Sequence, residues 1–493
     1  MKKKQFFTCS KICMSLLIGA GALFLVSCAK DGFDDESFDS GVSNTQVGSI
    51  SASDITITPS ADGKSQTFAW PVVMGAGGYR VSLIDVANPD EPIINDSIVD
   101  GCTVKGEREE DVNYKLTIQT LGNKKKNNTD NPEVVALEFS TFTPTFKTIP
   151  AGSDLNEWFA ANPVPDDSIG VNLNYDLEAG AQYTVSGELD FNNHWVTLRS
   201  NSKSDPATIK YTDAASCINF AAPFNVKYLH FDCAAMSEAN GVFGFSKEPT
   251  GEVKPETSFI VVEKPTTFIS STFDNVNGYF LWDSRKDAKL AFKTVLIDNC
   301  VVMLTPPKSV NQAVIWINKN GFINDLSITN STFYEDESCA GDLKYFYQAG
   351  SYRAKDIGEA TNSVTYTNCT FYRVGWKEGE FGNYNAMKGK AESFWTLKDC
   401  IFLECSTKGG VPRRFLAGSR YAEGSKNVTF ANNTYMKADG TFQDLKEDGT
   451  HDWDLSGTCI EEDPQFANPT VGDFHISGPT QIARKTGDPR WLP

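Results

Sequence analysis

Histidine and methionine are scarce in this chain, at 4 and 7 of its 493 residues. His194, His230, His451 and His475 share no spacing, so nothing marks a histidine-based centre. No two cysteines are spaced as CxxC, which argues against a structural zinc site. Apolar runs stay under the roughly 18 residues that a membrane-spanning helix needs. Basic side chains are in deficit, 45 against 63 acidic, for a net charge of −18. A surface so acidic suits neither phosphate backbones nor general nucleic-acid binding.

What is present is a repeat. Five copies read Val295 to Cys300, Leu326 to Phe333, Val364 to Phe371, Trp395 to Phe402 and Val428 to Tyr435. Each is a short run of alternating apolar residues, an Asn or Asp, a small residue, and a second run. The turn residues Asn299, Asn330, Asn368, Asp399 and Asn432 recur at intervals in the thirties. That period leaves room for strands and loops but not for helices between them, as in a β-solenoid. Three strands per turn predict a right-handed parallel β-helix, with several stacked sandwiches as the alternative. Asn suits a recurrent turn because it tolerates left-handed backbone. Cys300, Cys369 and Cys400 share the slot after it and are read as stacked small side chains, with a disulfide between coils second.

The chain divides as follows. Residues 1–28 hold Lys2, Lys3 and Lys4, an apolar core, and a box ending at Cys28, the pattern of a lipoprotein signal whose cysteine is lipidated. Without that segment 41 basic side chains remain against 63 acidic, a net charge of −22. Residues 29–50 are an acidic, then polar tether. The acidic run after Cys28 resembles the export signal of Bacteroidetes-type lipoproteins. It implies an outer-membrane protein, lipid-anchored and facing the cell exterior. Residues 51–145 carry short period-two strands. Their Trp70, Tyr79 and Tyr114 strands resemble a fibronectin type III domain, which implies a sandwich acting as spacer. After a Thr/Pro hinge, Asp154 begins a short helix expected to cover the open coil end. The β-helix spans 146–457, with an insertion or seam near 247–257, and 458–493 form a last coil and cap.

The C-terminal boxes, Asp463 to Phe466, Gly472 to Phe474 and Gly487 to Trp491, carry a further resemblance. They are similar to those of pectate-lyase-like surface lipoproteins of Bacteroidetes polysaccharide-utilisation loci. The resemblance covers essentially the whole mature chain. It implies a surface protein working on pectin-like acidic polysaccharide, beside other glycan-utilisation proteins.

Aligning the strands before each Asn turn exposes a second column, Trp282, Trp316 and Tyr347, followed by Arg285, Lys319, Arg353, Lys390 and Arg420. Stacked coils would place such cations about 5 Å apart. One reading is a groove in which guanidinium groups pair carboxylates and aromatics carry sugar rings. The other turns the aromatics inward and pairs the cations with neighbouring acids. Elimination from a uronate needs a base and a cation, calcium or Arg/Lys. Lys388, Lys390, Arg413, Arg414 and Arg420 are the nearest candidates, but the motifs characteristic of pectate lyases are missing. Glu335, Asp336 and Glu337 share an acidic loop, read as solvated, with calcium binding as the alternative. The sequence thus favours a glycan binder, leaves a lyase on the same scaffold open, and keeps a structural or adhesin-like role third.

Overall fold

The computed structural model describes residues 41–60, 64–283, 289–350, 353–377, 379–383, 392–415, 427–447 and 451–493. They form two compact units that divide between Pro144 and Thr145. Cys28, Arg285, Lys388, Lys390 and Arg420 lie outside the described residues.

The first unit is an antiparallel sandwich of a three-stranded and a four-stranded sheet. Alternation builds it: along Asn113–Gly122 every second side chain is buried, and Tyr114, Leu116 and Ile118 enter the core. Trp70 meets Tyr79 edge to face at 5.3 Å, and the Tyr79 hydroxyl accepts the N–H of Val73.

The second unit is the right-handed parallel β-helix that the repeat predicts. Its described strands form three long sheets of eleven, nine and seven strands, here the long, middle and short sheets. One coil shows the path. Phe322–Thr329 lies in the long sheet, Thr332–Glu335 in the middle sheet, and Leu343–Ala349 in the short sheet. The chain then returns at Asn362–Thr367 to the long sheet, one step along. Every pairing within these sheets is parallel, with matched apolar residues in register. Phe333, Phe371, Phe402 and Tyr435 follow one another in the middle sheet, and Phe371 stacks on Phe402 at 4.8 Å with the rings nearly parallel.

The Asn positions explain the winding. Asn299, Asn330, Asn368, Asp399 and Asn432 all have left-handed backbone, with φ between 49° and 54°. Such a residue turns the chain sharply between the long and middle sheets, at a steric cost that Asn carries better than most. Each turn is also bonded to the next: the N–H of Asn299 donates to Thr329, that of Asn330 to Thr367, and that of Asn368 to Lys398. Asn330 Nδ2 reaches back 2.8 Å to the Asp298 carboxylate, as Asn432 does to Asp399. The small residue that follows points inward and is buried. Cys300, Cys369 and Cys400 are free thiols there, each aiming Sγ at a backbone carbonyl, so the slot is packed without a disulfide.

A helix at Leu155–Ala161 covers the first coil, capped by Asp154, whose Oδ1 accepts the N–H of Glu157. Phe159 packs edge to face on Tyr175 and Phe191. The 247–257 stretch is an insertion and not a seam, since all three sheets pair across it. The C-terminal segment departs from expectation. It is no last coil: Phe466–Asn468 and Asp473–Ile476 pair antiparallel with each other. The segment then runs back over the middle sheet, where Trp491 Nε1 and the Asp488 carboxylate both meet Thr332 Oγ1 at 2.8 Å. It also holds the Asn turns, for Asn368 Nδ2 donates to Lys485 O and the Arg490 guanidinium donates to Asn299 O.

Replacing Asn330 by Ala should therefore cost about 1–2 kcal/mol, because Ala resists left-handed backbone. Asn330→Gly should lose less, keeping the conformation while losing the bond to Asp298. Chemical denaturation of the two variants beside the parent checks the order.

Candidate functional site

The short sheet does not alternate strictly. Its strands show an outer residue, two core residues, then a second outer residue. Tyr279, Phe280, Leu281 and Trp282 form one such set; Ala313, Val314, Ile315 and Trp316 the next; Tyr345, Phe346, Tyr347 and Gln348 a third. In register, Gly244, Trp282, Trp316, Gln348 and Asn383 occupy one outer column, and Ala313 and Tyr345 pair in the other.

The outer aromatics meet. Tyr279 stacks on Trp282 at 5.0 Å and packs on Trp316 at 4.7 Å. Trp282 lies over Gly241 and Gly244, where an added β-carbon would overlap its ring. It is therefore the buried base of the cluster, and Trp316 is the partly exposed ring upon it. Trp316 Nε1 and, one coil on, Gln348 Oε1 are shielded from solvent yet have no hydrogen-bond partner among the described residues. Buried polar atoms are rarely left so, but atoms closed to water are closed to a ligand hydroxyl as the side chains stand. Lys319 Nζ stands 5.8 Å from the Trp316 ring centre, and Lys344 Nζ 5.1 Å from that of Tyr345. The turn carrying Lys319 is held by Asp283, whose carboxylate accepts its N–H and that of Gly321. Burial pushes Asp283 up to about 6.

Several expected site residues fall elsewhere. Tyr347 is a core residue, 1% exposed, because two consecutive positions of each strand turn inward; Gln348 takes the outer place instead. Arg353 is not part of a free cationic column: it pairs with Asp356 and its guanidinium lies over the Phe259 ring. Arg414 is tied to Glu380 at 3.1 Å and donates to Lys408 O. In both cases an acid or carbonyl from a nearby loop answers the cation. Of the cationic column, Lys319 alone is described beside the aromatics.

The acidic loop is not simply solvated. Glu335 is fully buried at the end of its strand, in register with the core residue Leu304. Its carboxyl accepts the Leu343 N–H and the Trp376 indole N–H, and hydrogen-bonds to Asp342. Asp342 in turn accepts the N–H groups of Gly375 and Lys377. Burial, and then the charge of Asp342, pushes Glu335 well above the usual carboxylate range; burial also raises Asp342. The two share a proton that Glu335 keeps. A glycosidase spaces its carboxyls about 5–9.5 Å apart with the sugar between them, so a pair in direct hydrogen bond has no room for one. The pair is a clamp between two coils. Outside it, Arg373 stacks over Trp376 at 4.0 Å and faces Glu337 and Glu404. Among the described residues no cluster suited to a metal ion is found, Glu335 to Glu337 included.

Comparisons with known proteins name no chemistry. Residues 1–184 match the family DUF4992, 181–336 match DUF4957, and 364–491 match DUF5123, each described as a domain of unknown function. No curated protein matches the chain. Among solved structures, pectate lyase PelI from Erwinia chrysanthemi, in complex with tetragalacturonic acid, is 10% identical with a TM-score of 0.22. That alignment covers 78% of this chain and 100% of the other. Pectate lyase Pel3 from Pectobacterium carotovorum is 12% identical with a TM-score of 0.18, over 82% and 96%. Likenesses so weak carry no argument; the sheet topology does.

Because folded Glu335 holds a proton that an unfolded Glu releases above about pH 4.3, its burial should make stability fall as pH rises past that value. Glu335→Gln cannot titrate. Melting temperatures taken from pH 5 to pH 8 should therefore move in the variant's favour, by up to about 1.4 kcal/mol per pH unit. Parallel curves would show that Glu335 is charged in the folded protein.

Proposed function

We propose that this protein binds an acidic, pectin-like polysaccharide along the outer face of the short sheet, as a lipid-anchored protein of the cell surface. The observation that carries the reading is Trp316: a partly exposed indole, braced by Tyr279 and Trp282, with a lysine beside it. A sugar ring offers such an indole its C–H face. Lys319 supplies the charge for a carboxylate. Gln348 and Asn383 continue the column along the coil axis, as an extended chain requires. The anchor at Cys28 and the acidic run after it supply the address. The sandwich, read as a fibronectin type III-like spacer, sits between tether and coil in the sequence.

Trp316→Ala should weaken retention on a polygalacturonate affinity gel about tenfold, the worth of one lost ring contact, with the melting temperature nearly unchanged. Equal retention would remove this face from the proposal. A rise in unsaturated-uronate absorbance during the incubation would show cleavage in addition to binding.

A further inference from the structure

Asp283 follows the short-sheet strand Tyr279–Trp282 and is 6% exposed. Its N–H donates to Trp316 O in the next coil, which ties it to the strand that carries the exposed indole. Its carboxylate reaches into the turn that follows that strand. Oδ2 accepts the N–H of Lys319 at 2.5 Å and that of Gly321 at 3.2 Å, and the N–H of Asn318 joins them. A carboxylate met by backbone N–H groups makes charge-assisted bonds, roughly twice as strong as neutral ones.

The turn is walled on both sides along the coil axis. At Gly321 a β-carbon would stand 2.8 Å from both the Asp283 β-carbon and the Phe245 ring, so the backbone comes this close only without a side chain. On the other side the Gly350 N–H donates to Ile317 O at 2.7 Å, and a β-carbon on Gly350 would meet Asn318 at 3.0 Å. Lys319 rides on this turn, exposed, and forms no ion pair among the described residues. Arg353 and Arg414 are answered through their side chains by Asp356 and Glu380. Asp283 instead grips the backbone around Lys319 and leaves the ammonium beside the Trp316 ring.

We infer that Asp283 is a positioning residue of the glycan face: it touches no sugar, and by holding the turn it sets where Lys319 meets the ligand's carboxylate. The inference rests on the function proposed above and adds the residue that tunes it. Burial takes the Asp283 carboxyl up to about 6, so its grip on the turn changes with pH. The charged groups on the coils packed around it are Lys319 itself and, beyond Phe245, Lys247, which is paired with Glu188. Above about pH 6 the carboxyl is charged and holds the N–H groups strongly; below it, protonated, it accepts them only as a neutral group. A sugar carboxylate stays charged down to about pH 4, so a loss of retention between pH 7.5 and pH 5 reports the protein.

Retention on a polygalacturonate affinity gel across that range tests the inference. Asp283→Asn is the probe, because Asn keeps the shape and an acceptor oxygen but carries no charge. At pH 7.5 the variant should be retained about fivefold less than the parent, the difference between a charge-assisted and a neutral bond, and the two should converge at pH 5. In a Lys319→Ala background Asp283→Asn should change nothing further, which a general loss of packing would not give. Parallel profiles for the parent and Asp283→Asn, or a further loss in the Lys319→Ala background, would overturn the inference. The proposed function would then stand as long as Trp316→Ala still weakens retention. A parent that is not retained, or retention untouched by Trp316→Ala, would overturn both.

Discussion

The left-handed turn between the long and middle sheets is the constraint on which the second unit depends. At each of Asn299, Asn330, Asn368, Asp399 and Asn432 the chain bends at positive φ, and each N–H but the last donates to a backbone carbonyl of the next coil. A parallel pair has no short hairpin to set its register. In this protein the turn sets it, coil after coil, and the phenylalanines of the middle sheet fall into line behind it. The C-terminal segment then reads the same column from outside, through Lys485, Gly487 and Arg490, and closes over it. One residue type thus winds the coil and also docks the strap.

That explains what was legible in the sequence. An αL turn needs a residue that tolerates it, and Asn recurring every thirty-odd positions is a signal that survives divergence of everything between. The coil and its period follow from that signal and from apolar alternation, and the capping helix at Leu155–Ala161 from Asp154 and the helical apolar spacing after it. The C-terminal boxes were visible too, but as another coil, because antiparallel pairing of Phe466–Asn468 with Asp473–Ile476 leaves no mark that distinguishes it from one more turn.

The face of the short sheet was half legible. Trp282 and Trp316 are neighbours in register, as their alignment suggested. The alignment then slipped by one at Tyr347, because period-two logic expects alternate residues to face outward and these strands put two together inward. The spacing that would have found the outer pairs is i and i+3, as in Tyr279 with Trp282 and Tyr345 with Gln348. The cations were harder still. Sequence spacing places a basic residue after each strand, but which acid answers it depends on loops: Arg353 found Asp356, and Arg414 found Glu380.

Buried chemistry and accessible chemistry part company for a related reason. Glu335 sits where the preceding coil has a leucine, so its carboxyl is taken out of water by stacking itself and survives by sharing a proton with Asp342. A solenoid whose coils repeat faithfully gives flat sheets and closed corners, and polar groups at its corners are clamps. Recesses large enough for a ligand need the repeat to fail. Here it fails where a helix replaces a strand at Val411–Phe415, and there Arg413, Lys437 and Trp453 come to line one space.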